Sequence, residues 1–375
     1  MRAIVLEKFG GLDSLVYKDI PEPEPKAGHV VIEIKAFGIN HAEMHMRRGE
    51  WAEAAPVSGI ECVGLVKSCP SGEFPVGAKV AALMGGLGRT INGSYAEYTR
   101  APASNVALIE ADLPWAELAA IPETYATAWT CLFRNLEIEK GQLLVIRGGT
   151  SSFGQAALKM AVNAGVRVIA TMRDRSSFSI VEKLGAERCE IERPDLSKHI
   201  AEAKKIDRVL DLVGNSVLLD SLAMLRRGGR SCLAGFLGGL APVPDFNPLL
   251  QMSSGVHLSF FRQLRFRHSG LSALRRASAT DRGGCRGRPP RCQAIQDLPL
   301  RGDPRGSSSD GGRRSARQDG GRSRLTGCGR IGVWKIAQKP ARNQRSVPVK
   351  SMGYRNAEGH GLLRKQHRPT FSATC

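Results

Sequence analysis

The chain is 375 residues long and 42% hydrophobic, enough for two domains with sizeable cores. No apolar run reaches the length of a bilayer span, and the opening MRAIVLEKFGG lacks a signal-peptide layout, so neither a membrane-spanning nor a secreted protein is expected. The net charge of +19 is concentrated in one place: residues 1–261 carry 28 basic and 29 acidic side chains, residues 262–375 carry 26 and 6.

The front section opens as a dense series of short strands. Residues 1–6 form an apolar strand, and the PEPEP run at 21–25 is a stiff loop. Residues 29–37 alternate well enough to be a strand that stops at Gly38, followed by Asn40, His41, Glu43 and His45 in a polar, helix-capable segment. Further strands at 59–67 and 78–83, with glycine-rich turns between, complete a barrel-like β domain, and residues 113–136 read as helices leading out of it. The nine cysteines include no C-x-x-C pair and read as free thiols of a reducing, cytoplasmic compartment.

From Gln142 the pattern changes. QLLVIRGGTSSFGQAALKMAVNAGVRVIAT runs strand, glycine turn, helix, strand, a βαβ unit of about thirty residues. Its turn, Gly148, Gly149, Thr150, Ser151, Ser152, Phe153 and Gly154, offers backbone amides and a helix N-terminus to a pyrophosphate. The bland alternative is an ordinary strand-to-helix connection. Alternation continues with a helix at 176–184, a buried strand at 206–213, a helix at 217–225, a strand at 230–235 after Gly228 and Gly229, and another beginning at 256. That order predicts a parallel, doubly wound sheet with its ligand at the carboxyl ends of the strands. At the end of the second strand stand Thr171, Arg173 and Arg175 instead of the acidic residue that holds a ribose 2′-hydroxyl. Hydroxyl and guanidinium groups suit a 2′-phosphate, and so NADP(H) over NAD(H), with Asp174 as the counter-argument and a solvated charged loop as the plain reading.

The strings GINHAE (38–43), SGIECVG (58–64), NGSYAEY (92–98), IPETYATAWTCLF (121–133), GGTSSFG (148–154), DLVG (211–214) and GGRSCLAGF (228–236) resemble, in order, the medium-chain dehydrogenase/reductase superfamily, in its zinc-free quinone oxidoreductase branch. The resemblance implies an α/β protein with an N-terminal GroES-like β-barrel domain over 1–122 and a Rossmann domain over 123–261. Asn40 stands where zinc-dependent relatives carry a cysteine, and Ile60 where they carry a histidine before the glutamate that is Glu61 here. The four-cysteine structural lobe is missing as well, so no metal is expected. By family position Asn40, Tyr125 and Thr127 line the pocket near the nicotinamide, and Val213, Gly235 and Phe236 touch the nicotinamide half. For Tyr125 a packing role weighs as much as a catalytic one. The implied reaction is hydride transfer from NADPH to a quinone or activated double bond, a small-molecule substrate.

The resemblance stops after Phe261. Residues 262–325 are rich in Arg, Gly, Ser and Pro without apolar periodicity, which alone reads as disordered or as a nucleic-acid-binding arm. The genetic code offers a better account. Back-translated and shifted by one base, residues 262–274 read GSFVFGTPGFPLS, the family's usual continuation, and residues 317–321 allow GKMVV, its closing strand. Leu325–Thr326 allow an out-of-frame stop. The expectation is an out-of-frame segment at 262–325 and read-through at 326–375, both largely disordered, with activity and any family-like homodimer contact impaired. The rival reading is a dinucleotide-domain protein with a basic nucleic-acid arm. Only Phe266, Trp334, Tyr354 and Phe371 supply aromatics there, without the interleaving of a stacking platform, so no specific nucleic acid is expected.

Overall fold

The computed structural model describes residues 1–51, 53–261 and 333–335. Apart from those last three residues, the expectation of disorder beyond residue 261 lies outside the described residues.

The first layer is a sheet built on β3 (His29–Gly38), whose sequence HVVIEIKAFG sends Val30, Ile32 and Ile34 into a core shared with Val66, Val80 and Tyr95. β3 pairs antiparallel with β4 (Glu61–Ser68) and β6 (Tyr98–Pro102), and the sheet continues through β5 (Lys79–Leu83) to β7 (Val106–Leu108). β1 (Arg2–Leu6) and β2 (Leu15–Asp19) form a separate antiparallel pair. Gly64 is required where β4 crosses β3, because a Cβ there would sit 2.1 Å from the Glu33 carbonyl oxygen. Between β3 and β4 the chain forms α1 (His41–Arg47), started by a capping box in which Asn40 and Glu43 exchange side-chain and backbone hydrogen bonds.

Two helices lead out of this layer, α2 (Trp115–Leu118) and α3 (Pro122–Thr130), the second beginning with proline at its first turn, where the missing N–H costs nothing. A π-helical turn, Cys131–Asn135, ends it.

The second layer is a six-stranded, all-parallel sheet. In chain order its strands are β8 (Leu143–Arg147), β9 (Arg167–Met172), β10 (Arg188–Ile191), β11 (Ile206–Asp211), β12 (Leu225–Leu233) and β13 (His257–Phe260). In space they run β10-β9-β8-β11-β12-β13, so the order reverses between β8 and β11. That is the doubly wound Rossmann arrangement, with its ligand crevice at the reversal. The helices α4 (Ser152–Asn163), α5 (Phe178–Glu182) and α6 (Leu218–Ala223) follow β8, β9 and β11 in the chain. α4 sends Ala157, Leu158 and Ala161 into the core beneath β8 and β9. The fold is therefore a GroES-like domain joined to a parallel Rossmann sheet. Boundaries shift locally: β12 starts before Gly228 and Gly229 and runs through them, and the helix expected over 176–184 is a short 3-10 turn plus α5.

One described stretch lies in the tail. β14 (Val333–Lys335) pairs antiparallel with the end of β3, Val333 opposite Gly38 and Lys335 opposite Ala36. Three residues of the segment expected to lack structure thus form a strand.

Candidate active site

The glycine turn sits at the head of β8. Gly148 has φ +83°, a left-handed conformation that glycine adopts without strain. A Cβ at Gly154 would lie 2.5 Å from the Gly148 carbonyl, so only glycine lets α4 pack this close. Ser151 caps α4: its Oγ accepts from the Gly154 amide (3.0 Å) and donates to the Gly148 carbonyl (2.9 Å). The Gly149 amide donates to the Thr171 carbonyl (2.8 Å), and the Gly148 amide to Thr171 Oγ1 (3.1 Å).

Those bonds divide the predicted phosphate residues into two groups. The amides of Gly148, Gly149, Ser151 and Gly154 are spent inside the protein. Among the described residues the amides of Thr150, Ser152 and Phe153 have no partner, and they are the ones left to bind an anion at the N-terminus of a twelve-residue helix. Thr171 belongs to the first group. It is fully buried, and its hydroxyl accepts from Gly148 and donates to Glu192. It therefore shapes the turn from below and presents no group to a 2′-phosphate. Arg173 and Arg175 are exposed; Arg175 lies over the Phe178 ring, and Asp174 is tied to the Ser176 amide (2.9 Å). Arg173 has no partner among the described residues.

Val213, Gly235 and Phe236 meet this turn from the other side of the reversal. Asp211, at the end of β11, accepts from the Val213 and Gly214 amides (3.0 and 2.9 Å). The chain after β12 runs back along that loop, with Leu237 and Gly238 donating to the carbonyls of Leu212 and Val213. A Cβ at Gly235 would stand 2.6 Å from the Leu212 carbonyl, and one at Gly148 would stand 3.0 Å from Leu237. The two glycine turns are thus neighbours on one carboxyl edge.

The residues expected to border the acceptor are organised by three carboxyls, Glu43, Glu61 and Glu123, to which the residue patterns gave no role of their own. Asn40 Nδ2 donates to Glu61 Oε1 (2.9 Å), while Glu61 Oε2 accepts from the Glu123 amide (2.8 Å). Thr127 Oγ1 donates to Glu123 Oε1 (2.9 Å), one turn along α3. Glu43 accepts from the amides of Asn40 and Ile60 and from the Tyr95 hydroxyl (2.8, 2.9 and 2.6 Å). Asn40 and Thr127 therefore belong to one chain of hydrogen bonds. Burial pushes the Glu61 carboxyl up to about 8, with the Glu123 charge adding to it, and burial pushes Glu123 up to about 7. Burial raises Glu43 too, against its own hydrogen bonds. Tyr125 packs against the Rossmann core, and its hydroxyl is buried without a partner.

The zinc positions have a different use in this chain. Asn40 turns a donor toward Glu61, and the Ile60 side chain sits in an apolar cluster with Met46, Leu83 and Ala126. His45 is buried, stacked on Trp51 at 5.4 Å, with Nδ1 bonded to Glu50 and Nε2 unpartnered. Among the described residues no three His, Cys, Asp or Glu side chains converge as metal ligands.

Residues 26–111 match the family model of the alcohol dehydrogenase GroES-like domain, and residues 153–274 that of the zinc-binding dehydrogenases. The quinone oxidoreductase of Sus scrofa is 28% identical over 265 residues, 68% of this chain and 78% of that protein. Among solved structures, a mycobacterial protein complexed with NADPH is 26% identical, with TM-score 0.65 over 74% of this chain and 86% of that one. An NAD-dependent alcohol dehydrogenase, also 26% identical, gives 0.66 over 74% and 89%. The chain belongs to the medium-chain dehydrogenase/reductase superfamily, in its quinone oxidoreductase-like branch. It is an oxidoreductase of a family that binds nicotinamide dinucleotides. No helix among the described residues is long and apolar enough to cross a membrane.

Proposed function

We propose that the chain reduces a quinone or an activated double bond with NADPH, without a metal. The observation that carries this is the trio of unpartnered amides at Thr150, Ser152 and Phe153, at the head of the first strand of a sheet whose order reverses there. When bound, the reduced nicotinamide supplies the hydride. The protein supplies the rest. The helix N-terminus and the three amides hold the pyrophosphate. Val213, Gly235 and Phe236 flank the nicotinamide half, and Asn40, Tyr125 and Thr127 border the acceptor. The metal-free reading rests on the donor set: a carboxamide turned toward a carboxylate and an isoleucine do not make the three protein ligands of a catalytic zinc.

Preference for NADPH is assigned to Arg173, exposed after β9 with its guanidinium uncommitted. Titration of the full chain followed by nicotinamide fluorescence tests it. NADPH should bind more tightly than NADH, and R173A should lose roughly tenfold in NADPH affinity, about 1.4 kcal/mol, while NADH is unchanged. Equal losses for both dinucleotides remove Arg173 from the 2′-phosphate site.

The tail is assigned to a one-base shift at codon 262, in a chain of cytoplasmic origin. Loss of the in-frame continuation is expected to lower activity and to weaken a homodimer contact at β13, an edge strand with Leu258 and Phe260 exposed. The nucleotide sequence around that codon decides. A related gene in which the shifted frame stays open to the predicted stop supports the assignment, and one that encodes the arginine-rich frame overturns it.

A further inference from the structure

The reaction proposed above ends with a proton as well as a hydride, and the described site contains a group placed to supply it. Glu123 lies in the first turn of α3. Its two oxygens are in different situations. Oε1 accepts the Thr127 hydroxyl at 2.9 Å, whereas Oε2 is sealed from solvent and has no hydrogen-bond partner. An ionised carboxylate would leave a full share of charge on that bare oxygen, the costliest arrangement a buried polar atom can adopt. A protonated carboxyl resolves it only in part. Oε1 becomes the carbonyl oxygen that Thr127 needs, and Oε2 becomes a hydroxyl with a proton and nothing to give it to. The bare Oε2, beside the chain of hydrogen bonds that holds Asn40, calls for an oxygen acceptor supplied from outside the protein.

We propose that Glu123, positioned by Thr127, is the proton donor to an α,β-unsaturated carbonyl acceptor. This rests on the reductase reading above. The balance is simple: the β-carbon gains a hydride from the reduced nicotinamide cofactor, the Glu123 Oε2–H bond breaks, and the proton passes to the enolate. Glu123 is left as a carboxylate, which water re-protonates. Burial and the Glu43 carboxyl from α1 favour the acid form of Glu123, against the hydrogen bond it accepts from Thr127; Glu61 from β4, whose Oε2 accepts the Glu123 amide, is the other ionisable group facing it. Thr127 is the positioning residue. A quinone would not need this device, since quinol oxygens take protons from water, so the site is specialised toward enones.

The test uses E123Q in the full chain, because glutamine keeps the oxygen that accepts from Thr127 and cannot act as an acid. Turnover of an enone by NADPH should fall on the order of a hundredfold, the usual worth of a positioned general acid, and by far more than quinone turnover falls. In the unaltered chain kcat/KM for the enone should decline as pH rises above about 7, and E123Q should show no such decline. A second readout needs no cofactor. Infrared difference spectra of the chain between acidic and alkaline pH should contain two carboxylic C=O components, one lost at about pH 8 that belongs to Glu61 and one lost at about pH 7 that is absent in E123Q. Equal loss of enone and quinone turnover in E123Q, or a component lost at about pH 7 that survives the substitution unchanged, overturns the proposal. If the two components behave as described but neither acceptor oxidises NADPH, the reductase reading itself has failed and the assigned use of the proton fails with it.

Discussion

Arg147 and Glu61 are buried to nearly the same degree, 0% and 2% exposed, yet the protein treats the two charges in opposite ways. Arg147 ends β8 directly beneath the glycine turn. Its guanidinium donates to Glu192, to Asp220 (2.8 Å), to the Ser221 hydroxyl (3.1 Å) and to the Arg193 carbonyl (2.6 Å). Every arm of the fork has a partner, and the two carboxylates keep the guanidinium charged despite its burial. Glu61 is met instead by a carboxamide and a backbone amide, with two further carboxyls nearby. The first arrangement resolves its charge and fixes a strand end. The second leaves a proton in the interior. A buried charge that is fully paired makes structure, and one left partly paired makes chemistry.

Removing one partner from the paired cluster should have the larger effect. R147M leaves Glu192 and Asp220 facing each other across a hole without their cation, and the cost of stranding buried charge is about 3–5 kcal/mol. A urea melt of the full chain should show that loss or outright unfolding. A loss below about 1 kcal/mol would mean the carboxylates find water, and the distinction between the clusters would shrink.

The carboxyl cluster should show itself through pH. Glu61 is raised to about 8 in the folded protein against an unfolded value near the ordinary one for glutamate. Its neutral form is therefore favoured by folding. The corresponding stability is complete below about pH 4.5 and is lost as pH rises through about 8, with Glu123 acting in the same direction at about 7. Unfolding free energy should fall between about pH 5 and 9 by on the order of 3–5 kcal/mol. E61Q should flatten most of that slope, so that the variant is the less stable protein in acid and the more stable one in alkali. A slope that survives E61Q unchanged would assign the proton elsewhere.

Much of this fold was legible in the residues. The apolar run, glycine turn and helix period at 142–171 located the first βαβ unit, because a strand, a left-handed turn and an amphipathic helix each leave a local mark. The first sheet was legible as short alternating segments for the same reason. At the site, Gly148 and Gly154 were recognisable as glycines a tight turn would need, and the structure supplies the reasons, a positive φ in one and a 2.5 Å contact in the other. Thr171 was legible as a residue at a strand end but not in its role, since whether a hydroxyl faces a ligand or a neighbouring glutamate depends on β10, twenty residues further on.

Local pattern thus determined the elements and the phosphate turn, for their information lies within a few residues of each position. Which amides remain free to bind was decided where Ser151 and Thr171 of β9 close on the turn, and where a proton is kept was decided only when β4, α1 and α3 met. Glu43, Glu61 and Glu123 are ordinary acids along the chain. Dehydration and mutual repulsion alter them, and both arise only from packing together segments separated by as many as eighty residues.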